Sequence, residues 1–281
     1  MNQINVQKIT DAIAEMCIAV NHKLSPDMVN CIHNAEKKEE SPLGKQIIGQ
    51  LIENMDIAER EMIPICQDTG MAVVFIEIGQ EVALVGGNIE DAINAGVRKG
   101  YKDGYLRKSV VGDPLLRVNT NDNTPAVIHY SIVAGSEVKI TLSPKGFGSE
   151  NMSRVFMLKP ADGIEGVKNA VITAVSEAGP NACPPMVVGV GVGGTFEKCA
   201  ILAKKALTRN VDIQSGIPYL AEMESELLET LNNLGIGPGG LGGRNTVLAV
   251  NIESYATHIA GLPVAINICC HVNRHIVRII K

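Results

Sequence analysis

A polar pentapeptide placed directly before an apolar run is the feature of this sequence that most constrains its fold. The run Met71 to Ile78 has the length and composition of a buried β-strand. Cys66-Gln67-Asp68-Thr69-Gly70 precedes it, and Pro64 and the closing glycine predict a tight turn into the strand. Loops held by a rigid scaffold commonly carry binding sites. A thiolate there could bind a metal, and Gln67 and Asp68 could contact a small polar ligand. An ordinary turn with a buried cysteine is the alternative.

Helical and strand patterns alternate along the chain. Apolar residues recur at helical spacing over residues 3–22, and Ser25-Pro26 and Ser41-Pro42 are N-terminal signals for two further helices. The first 60 residues therefore predict a helical layer, with the run Glu36 to Glu40 as a solvated helix end. Beyond it, the pattern predicts strands at 81–84, 126–132, 137–142, 186–192, 245–252 and 262–268, and helices at 89–101, 162–178, from about 196, and 218–234.

This order predicts an α/β fold of mixed β-sheets flanked by helices, with the N-terminal helical layer, as a single domain over residues 1–281. The strands at 126–132 and 137–142 are close in sequence and are expected to pair as a hairpin around Gly135.

Composition disfavours several classes of function. Tryptophan is absent, aromatic residues are 3% of the chain and the formal net charge is −5, which disfavours a nucleic-acid-binding surface. The first residues lack the basic and apolar pattern of a secretory signal, and the longest apolar runs are too short to cross a bilayer. We expect a cytoplasmic protein without nucleic-acid or membrane partners.

The seven cysteines fall into two groups. Three lie within predicted helices and are expected to be structural: Cys17, Cys31 and Cys199. The others lie on loops at strand ends: Cys66, Cys183 and the adjacent Cys269 and Cys270. Three thiolates on separate loops could hold three irons of a [4Fe-4S] cluster, or a zinc ion together with a histidine. Buried structural thiols are the remaining alternative, because cysteine is often a core residue.

Two further segments could bind anions. Arg107-Lys108-Ser109 forms a compact cationic turn suited to a carboxylate, although solvated surface charges are the commoner case. Lys145-Gly146-Phe147-Gly148-Ser149 could direct successive backbone N–H groups at an anion.

A third glycine-rich segment formally satisfies the dinucleotide pattern GxGxxG, with Gly189, Gly191 and Gly194. The acidic residue expected about 20 positions later, after a further strand, is missing, so a nicotinamide-binding oxidoreductase is disfavoured.

Taken together and in order, these motifs resemble the class I iron–sulfur fumarate hydratases and their L(+)-tartrate dehydratase relatives. The resemblance covers nearly the whole chain, and the chain is similar to the α subunit of the two-subunit form. The segments that carry it are Cys66-Gln67-Asp68-Thr69-Gly70, Arg107-Lys108-Ser109, Lys145-Gly146-Phe147-Gly148-Ser149, Asn181-Ala182-Cys183-Pro184-Pro185, Tyr255-Ala256-Thr257-His258, and Cys270 followed by Arg274-His275.

The resemblance implies that Cys66, Cys183 and Cys270 bind a [4Fe-4S] cluster. Cys270 is chosen over Cys269 because the family pattern places Arg-His four and five residues after the ligand. The fourth iron would act as a Lewis acid in the reversible hydration of a small trans-dicarboxylate.

The same resemblance implies roles for the remaining site residues. Gln67, Arg107 and the backbone around Gly146 would bind the substrate dianion, and Asp68 and His258 would transfer the proton to the departing oxygen. The family places the base that removes the carbon-bound proton in a β subunit. We therefore expect a homodimer of α chains within an αβ assembly, with fumarate favoured over L-tartrate as substrate. A non-enzymatic assembly subunit with structural thiols is the other class considered.

Overall fold

The structure is a computed structural model that describes residues 2–281. Within it the chain divides into two compact units, each described by itself below. The first unit consists of residues up to 25, 55–146 and 274–281, and the second of residues 26–54 and 147–273. The expectation of a single domain over residues 1–281 stays a prediction.

Helices and strands alternate as an α/β fold, which confirms the predicted class. The helices are α1 (Val6–His22), α2 (Pro26–Lys38), α3 (Pro42–Glu61), α4 (Ile89–Asp103), α5 (Phe147–Glu150), α6 (Gly163–Ala178), α7 (Phe196–Ala206) and α8 (Pro218–Asn232). The strands are β1 (Asn2–Asn5), β2 (Met71–Gly79), β3 (Val82–Val85), β4 (Val127–Val133), β5 (Val138–Lys145), β6 (Arg154–Leu158), β7 (Met186–Gly193), β8 (Val247–Tyr255), β9 (Leu262–Cys269) and β10 (Ile276–Ile280). Among residues 2–281, no helix is both long and apolar enough to cross a membrane.

The first unit is built on a four-stranded sheet in the order β10-β5-β2-β4. β2 lies inside this sheet, antiparallel to β5 and parallel to β4, which is why its run of apolar side chains is buried. Helices α1 and α4 contribute to the same core, in which Ile13, Ile76 and Tyr101 are fully buried. The amino end of β2, the carboxyl end of β5 and the amino end of β10 meet at one edge, because β5 is antiparallel to both neighbours.

The second unit is built on a sheet in the order β6-β9-β7-β8, with β7 antiparallel to β9 and parallel to β8. Helices α6 and α8 cover one face of this sheet, and α7 packs on the other. The glycines of the GxGxxG pattern serve this second contact. A Cβ on Gly189 would lie 2.3 Å from the Ala203 carbonyl oxygen, and one on Gly191 would lie 2.0 Å from that of Cys199. Close packing of α7 on β7 therefore accounts for these two glycines without a nucleotide.

The expected hairpin around Gly135 is wrong. β4 and β5 are not neighbours, since β2 lies between them and pairs with both: Val73 is opposite Val127, and Val74 is opposite Leu142. A nine-residue strand whose interior is almost entirely apolar is stabilised by a partner on each edge, and this outweighs the short connection between β4 and β5.

One predicted boundary also differs from the structure, and a strand near the carboxyl end was not predicted. Residues 2–5 form β1, which pairs in parallel with β3, and the first helix begins only at Val6, after the Asn5 side chain accepts a hydrogen bond from the Gln7 amide. Strand β10 was not predicted, because the five residues before it, His271 to His275, are mostly polar and the strand itself has only five residues. It completes the sheet of the first unit by pairing with β5.

Candidate functional site

The predicted segment Cys66 to Gly70 forms a tight turn at the amino end of β2. The Gly70 amide donates a hydrogen bond to Oδ1 of Asp68 at 3.0 Å, and the Asp68 amide points to Sγ of Cys66 at 3.4 Å. Cys66 and Asp68 are partly exposed and Gln67 is exposed, so all three side chains can be reached from solvent. The thiolate is the form of a cysteine that binds metals.

Buried donors hold this turn through its backbone. The Tyr101 hydroxyl donates to the carbonyl oxygens of Thr69 and Gly70 at 2.7 and 2.9 Å, and Nδ2 of Asn123 donates to the Gly70 oxygen at 3.1 Å. Burial raises the pKa of Tyr101 far above its ordinary value, so its hydroxyl remains a donor. Sequence reasoning missed Tyr101 and Asn123 because neither lies in a recognisable motif.

The cationic segment is tied to the same turn. The Thr69 hydroxyl donates to the Arg107 carbonyl oxygen at 3.0 Å, and the Ser109 amide donates to Oδ1 of Asn123 at 2.7 Å. The Arg107 side chain is exposed, so it can turn towards an anion without loss of a structural contact.

The carboxyl end of β5 completes the group in the first unit. Gly70, with φ of +75°, lies so close to this strand end that a Cβ would be 2.8 Å from the Lys145 backbone. One residue further, Gly146 faces the Asp68 carboxylate. The first unit therefore brings together five predicted site residues: Cys66, Gln67, Asp68, Arg107 and Gly146.

The second unit brings Cys183 and Cys270 to one end of its sheet. Cys183 precedes β7 and Cys270 follows β9, and these strands are antiparallel with Val187 opposite Cys269. The His271 ring nitrogen Nδ1 lies 3.2 Å from the Cys183 carbonyl oxygen, which links the two loops directly. Cys269 is 5% exposed, whereas Cys270 is partly exposed beyond the strand. This difference favours Cys270 as the ligand.

A glycine-rich loop supports the Cys183 turn from the other side. The Gly239 amide donates to the Pro184 carbonyl oxygen at 2.8 Å, and Gly240 lies against Pro180, where a Cβ would be 2.3 Å from the proline Cβ. Cys183 itself has a left-handed backbone, with φ of +53°.

Glu39 anchors the end of that glycine-rich loop, which corrects the prediction of a solvated run at 36–40. Its carboxylate is 2% exposed and accepts hydrogen bonds from the amides of Arg244 and Asn245, both at 2.9 Å, and of Ser41 at 3.0 Å. Burial opposes its ionisation, but these amide donors outweigh burial and lower the pKa of Glu39 to about 2. A charged run read as solvated thus contains one buried anchor.

His258 lies apart from the cysteines of its unit. It follows β8, whose carboxyl end is opposite Gly193, while Cys183 precedes the other end of β7. β7 has eight residues, so its two ends lie about 23 Å apart. His258 is exposed, its Nδ1 accepts a hydrogen bond from the Ala260 amide at 3.2 Å, and it borders a mostly apolar cavity of about 400 Å³.

The donor chemistry of the remaining cysteines separates structural thiols from candidate ligands. Burial raises the pKa of Cys17 to about 12 and that of Cys31 to about 11, and it also raises the pKa of Cys199. These thiols resist conversion to thiolates, whereas Cys66, Cys183 and Cys270 lie on loops with access to solvent. Neither unit by itself, within residues 2–281, groups three His, Cys, Asp or Glu side chains as a metal site. The three loop thiols fit the donor set of an iron–sulfur cluster.

Comparison with known proteins identifies the family. The family model for fumarate hydratase (Fumerase) matches residues 10–278. The chain belongs to the fumarate hydratase family. This fumarate hydratase-family chain is therefore a component of a hydro-lyase, and the match spans every motif named above.

Curated relatives of this fumarate hydratase-family chain have closely similar lengths. A protein of Methanocaldococcus jannaschii, named "Putative L(+)-tartrate dehydratase subunit alpha", is 42% identical over 280 residues, which cover 98% of both chains. The L(+)-tartrate dehydratase subunit alpha of Escherichia coli strain UTI89 is 33% identical over 273 residues, or 96% of this chain and 89% of the relative. The protein of the same name from Shigella boydii gives the same identity and coverage.

Proposed function

We propose that this chain is the α subunit of an iron–sulfur-dependent hydro-lyase that interconverts fumarate and malate. The observation that carries the proposal is the grouping of Cys66, Gln67, Asp68, the Arg107 segment and Gly146 at one edge of the first unit. This group can bind a metal and a small dicarboxylate together. It contains a thiol, a carboxylate, an amide, a cation and a glycine, whose backbone carries no side chain.

Cys66, Cys183 and Cys270 are the proposed ligands of a [4Fe-4S] cluster. Their loop positions and access to solvent support this assignment over the buried thiols. When bound, a cluster with three protein ligands supplies Lewis acidity that lowers the energy of expelling hydroxide from a hydroxy acid.

The remaining residues of the first unit bind the substrate and move its protons. The Gln67 side chain, the Arg107 guanidinium and the Gly146 amide provide donors for two carboxylates. In dehydration, Asp68 in its protonated form donates a proton to the departing hydroxyl, so water leaves. In hydration, Asp68 accepts a proton from water as the C–O bond forms.

His258 is retained as a second proton-transfer residue only if it acts on the site of another copy of the chain. Its separation from Cys183 along the sheet of its own unit opposes a role within the same chain. A homodimer of α chains would place two copies in one enzyme, and the exposed His258 loop is accessible to a neighbour.

The base that removes the carbon-bound proton is assigned to a β subunit. The curated relatives are named as "subunit alpha", which supports a partner chain of this kind. Those names also favour L(+)-tartrate as the alternative substrate. We place the enzyme in the cytoplasm, where thiol ligands remain reduced.

Coexpression with the β partner under anaerobic conditions tests the function. Purified assemblies are assayed for hydration of fumarate and for dehydration of L-tartrate, with an Asp68→Asn assembly as the matched control. Fumarate turnover that exceeds tartrate turnover supports the first assignment, and the reverse order replaces fumarate by tartrate. A loaded assembly that transforms neither substrate would refute the hydro-lyase proposal.

A further inference from the structure

Arg274 is a buried cation attached to the backbone of the proposed site. It lies two residues before β10, the last strand of the first unit, and is 3% exposed. Its Nη2 donates a hydrogen bond to the Asp68 carbonyl oxygen at 2.6 Å, and its own carbonyl oxygen accepts one from Ser143 Oγ at 3.0 Å. The guanidinium therefore connects the start of β10 with the turn that carries Cys66 and Asp68.

The remaining donors of Arg274 are not used by the folded chain. Within residues 2–281, its Nε and Nη1 are buried without a hydrogen-bond partner. A buried guanidinium is costly unless negative charge or acceptors compensate it. A buried guanidinium held against the Asp68 backbone indicates that Arg274 contributes more than packing.

The geometry points to Arg274 as a positioning residue for the cluster- and substrate-binding turn, an inference that rests on the proposed function. Its hydrogen bond fixes the carbonyl of Asp68, the residue midway in sequence between Cys66 and Gly70; the Asp68 amide points to the Cys66 thiol, and the Gly70 amide holds the Asp68 carboxylate. Its positive charge offsets the negative charge that a Cys66 thiolate and a dicarboxylate bring to this turn. The contact that its side chain makes is with the Asp68 backbone, so the proposed role is exerted through the turn that carries Asp68 and Cys66.

Amide hydrogen exchange on the cluster-free chain tests the positioning role separately from activity. The variants are Arg274→Gln, which removes the charge, and Arg274→Lys, which retains it. The matched control is Arg278→Gln, since Arg278 lies on the same segment but forms a surface ion pair with Glu15. We expect exchange in the peptide covering residues 64–71 to rise by about tenfold or more in Arg274→Gln and less in Arg274→Lys. Arg278→Gln should leave that peptide unchanged.

Iron content provides the second readout. After anaerobic reconstitution and gel filtration, Arg274→Gln should retain several-fold less iron per chain than the wild type, with partial rescue in Arg274→Lys. Unchanged exchange at residues 64–71 in Arg274→Gln would overturn the inference. If amide exchange rises throughout the chain in Arg274→Gln, the Arg274→Lys variant decides. A rise in exchange confined to residues 64–71 of Arg274→Lys supports the inference, and any other pattern of exchange in that variant overturns it. A wild-type chain that takes up no iron defeats the proposed function, while the exchange result still decides the role of Arg274.

Discussion

The Asp68 carboxylate lies against the α-carbon of Gly146, so that a Cβ added at Gly146 would be 3.0 Å from Oδ2 of Asp68. This distance is tighter than an ordinary carbon–oxygen contact, and the carboxylate would have to move. The proposed proton donor is therefore placed by the absence of a side chain on the neighbouring strand end.

Gly146→Ala tests whether this contact matters for catalysis. We expect kcat/KM to fall about tenfold or more, because a displaced carboxylate no longer reaches the departing oxygen, while the unfolding temperature changes little. Gly148→Ala is the matched control, since a Cβ there meets no atom within 4 Å. Equal activities for the two variants would contradict the assignment of Asp68 as proton donor.

Single cysteine substitutions test the ligand set. Cys66→Ser, Cys183→Ser and Cys270→Ser should each remove most of the iron and the visible absorption of the reconstituted chain, because each deletes one thiolate ligand. Cys269→Ser is the matched control, since its side chain is buried. Iron analysis and absorption spectra of anaerobic samples provide the measurement. If Cys269→Ser loses the iron and Cys270→Ser keeps it, the ligand is the other member of the pair.

The anchoring role of Glu39 predicts a pH-dependent stability. Its folded-state pKa of about 2 lies below the ordinary value of 4.5, so ionised Glu39 stabilises the folded chain above about pH 4.5. That contribution is lost as the pH falls towards 2. Glu39→Gln should lower the free energy of unfolding by about 1–3 kcal/mol near neutral pH, with a difference from wild type that shrinks across this window.

Urea unfolding of wild type and Glu39→Gln at a series of pH values measures this difference. Glu40→Gln is the control, because the neighbouring carboxylate is exposed and forms only a surface ion pair with Arg244. A difference between wild type and Glu39→Gln that stays constant from pH 7 to the acid limit would show that ionisation of Glu39 contributes nothing.

Local signals predicted most elements of the fold. Strand β2 is a continuous apolar run, and α4 begins where the Asn88 side chain caps the amides of Glu90 and Asp91, as its sequence predicts. The hairpin prediction failed because β4 and β5 both pair with β2, which lies some 50 positions earlier in the chain. No feature of the sequence between β4 and β5 indicates this pairing. Nearest-neighbour spacing cannot report a strand inserted from elsewhere.

The sequence predicted the solvent-accessible residues of the site but not the buried side chains that hold them in place. Cys66, Asp68 and Gly146 have distinctive chemistry in short motifs. Tyr101 appears in the sequence as one apolar position of a helix, although its hydroxyl holds two carbonyl oxygens of the turn. Glu39 belongs to a charged run typical of solvent-exposed helix ends. Whether such side chains are buried depends on distant segments that pack around them, and sequence periodicity contains no such information.

The position of His258 predicts complementation between two defective chains. If His258 serves the site of a neighbouring copy, Asp68→Asn and His258→Asn chains are each nearly inactive alone, but a mixed dimer contains one site with both residues intact. Coexpression of the two variants, carrying distinct affinity tags, with the β partner, followed by tandem purification, should recover up to about half of the wild-type activity per mixed dimer. Mixed dimers that remain as inactive as the parents would place both residues in the site of one chain. Full activity of the His258→Asn chain on its own would exclude His258 from the reaction.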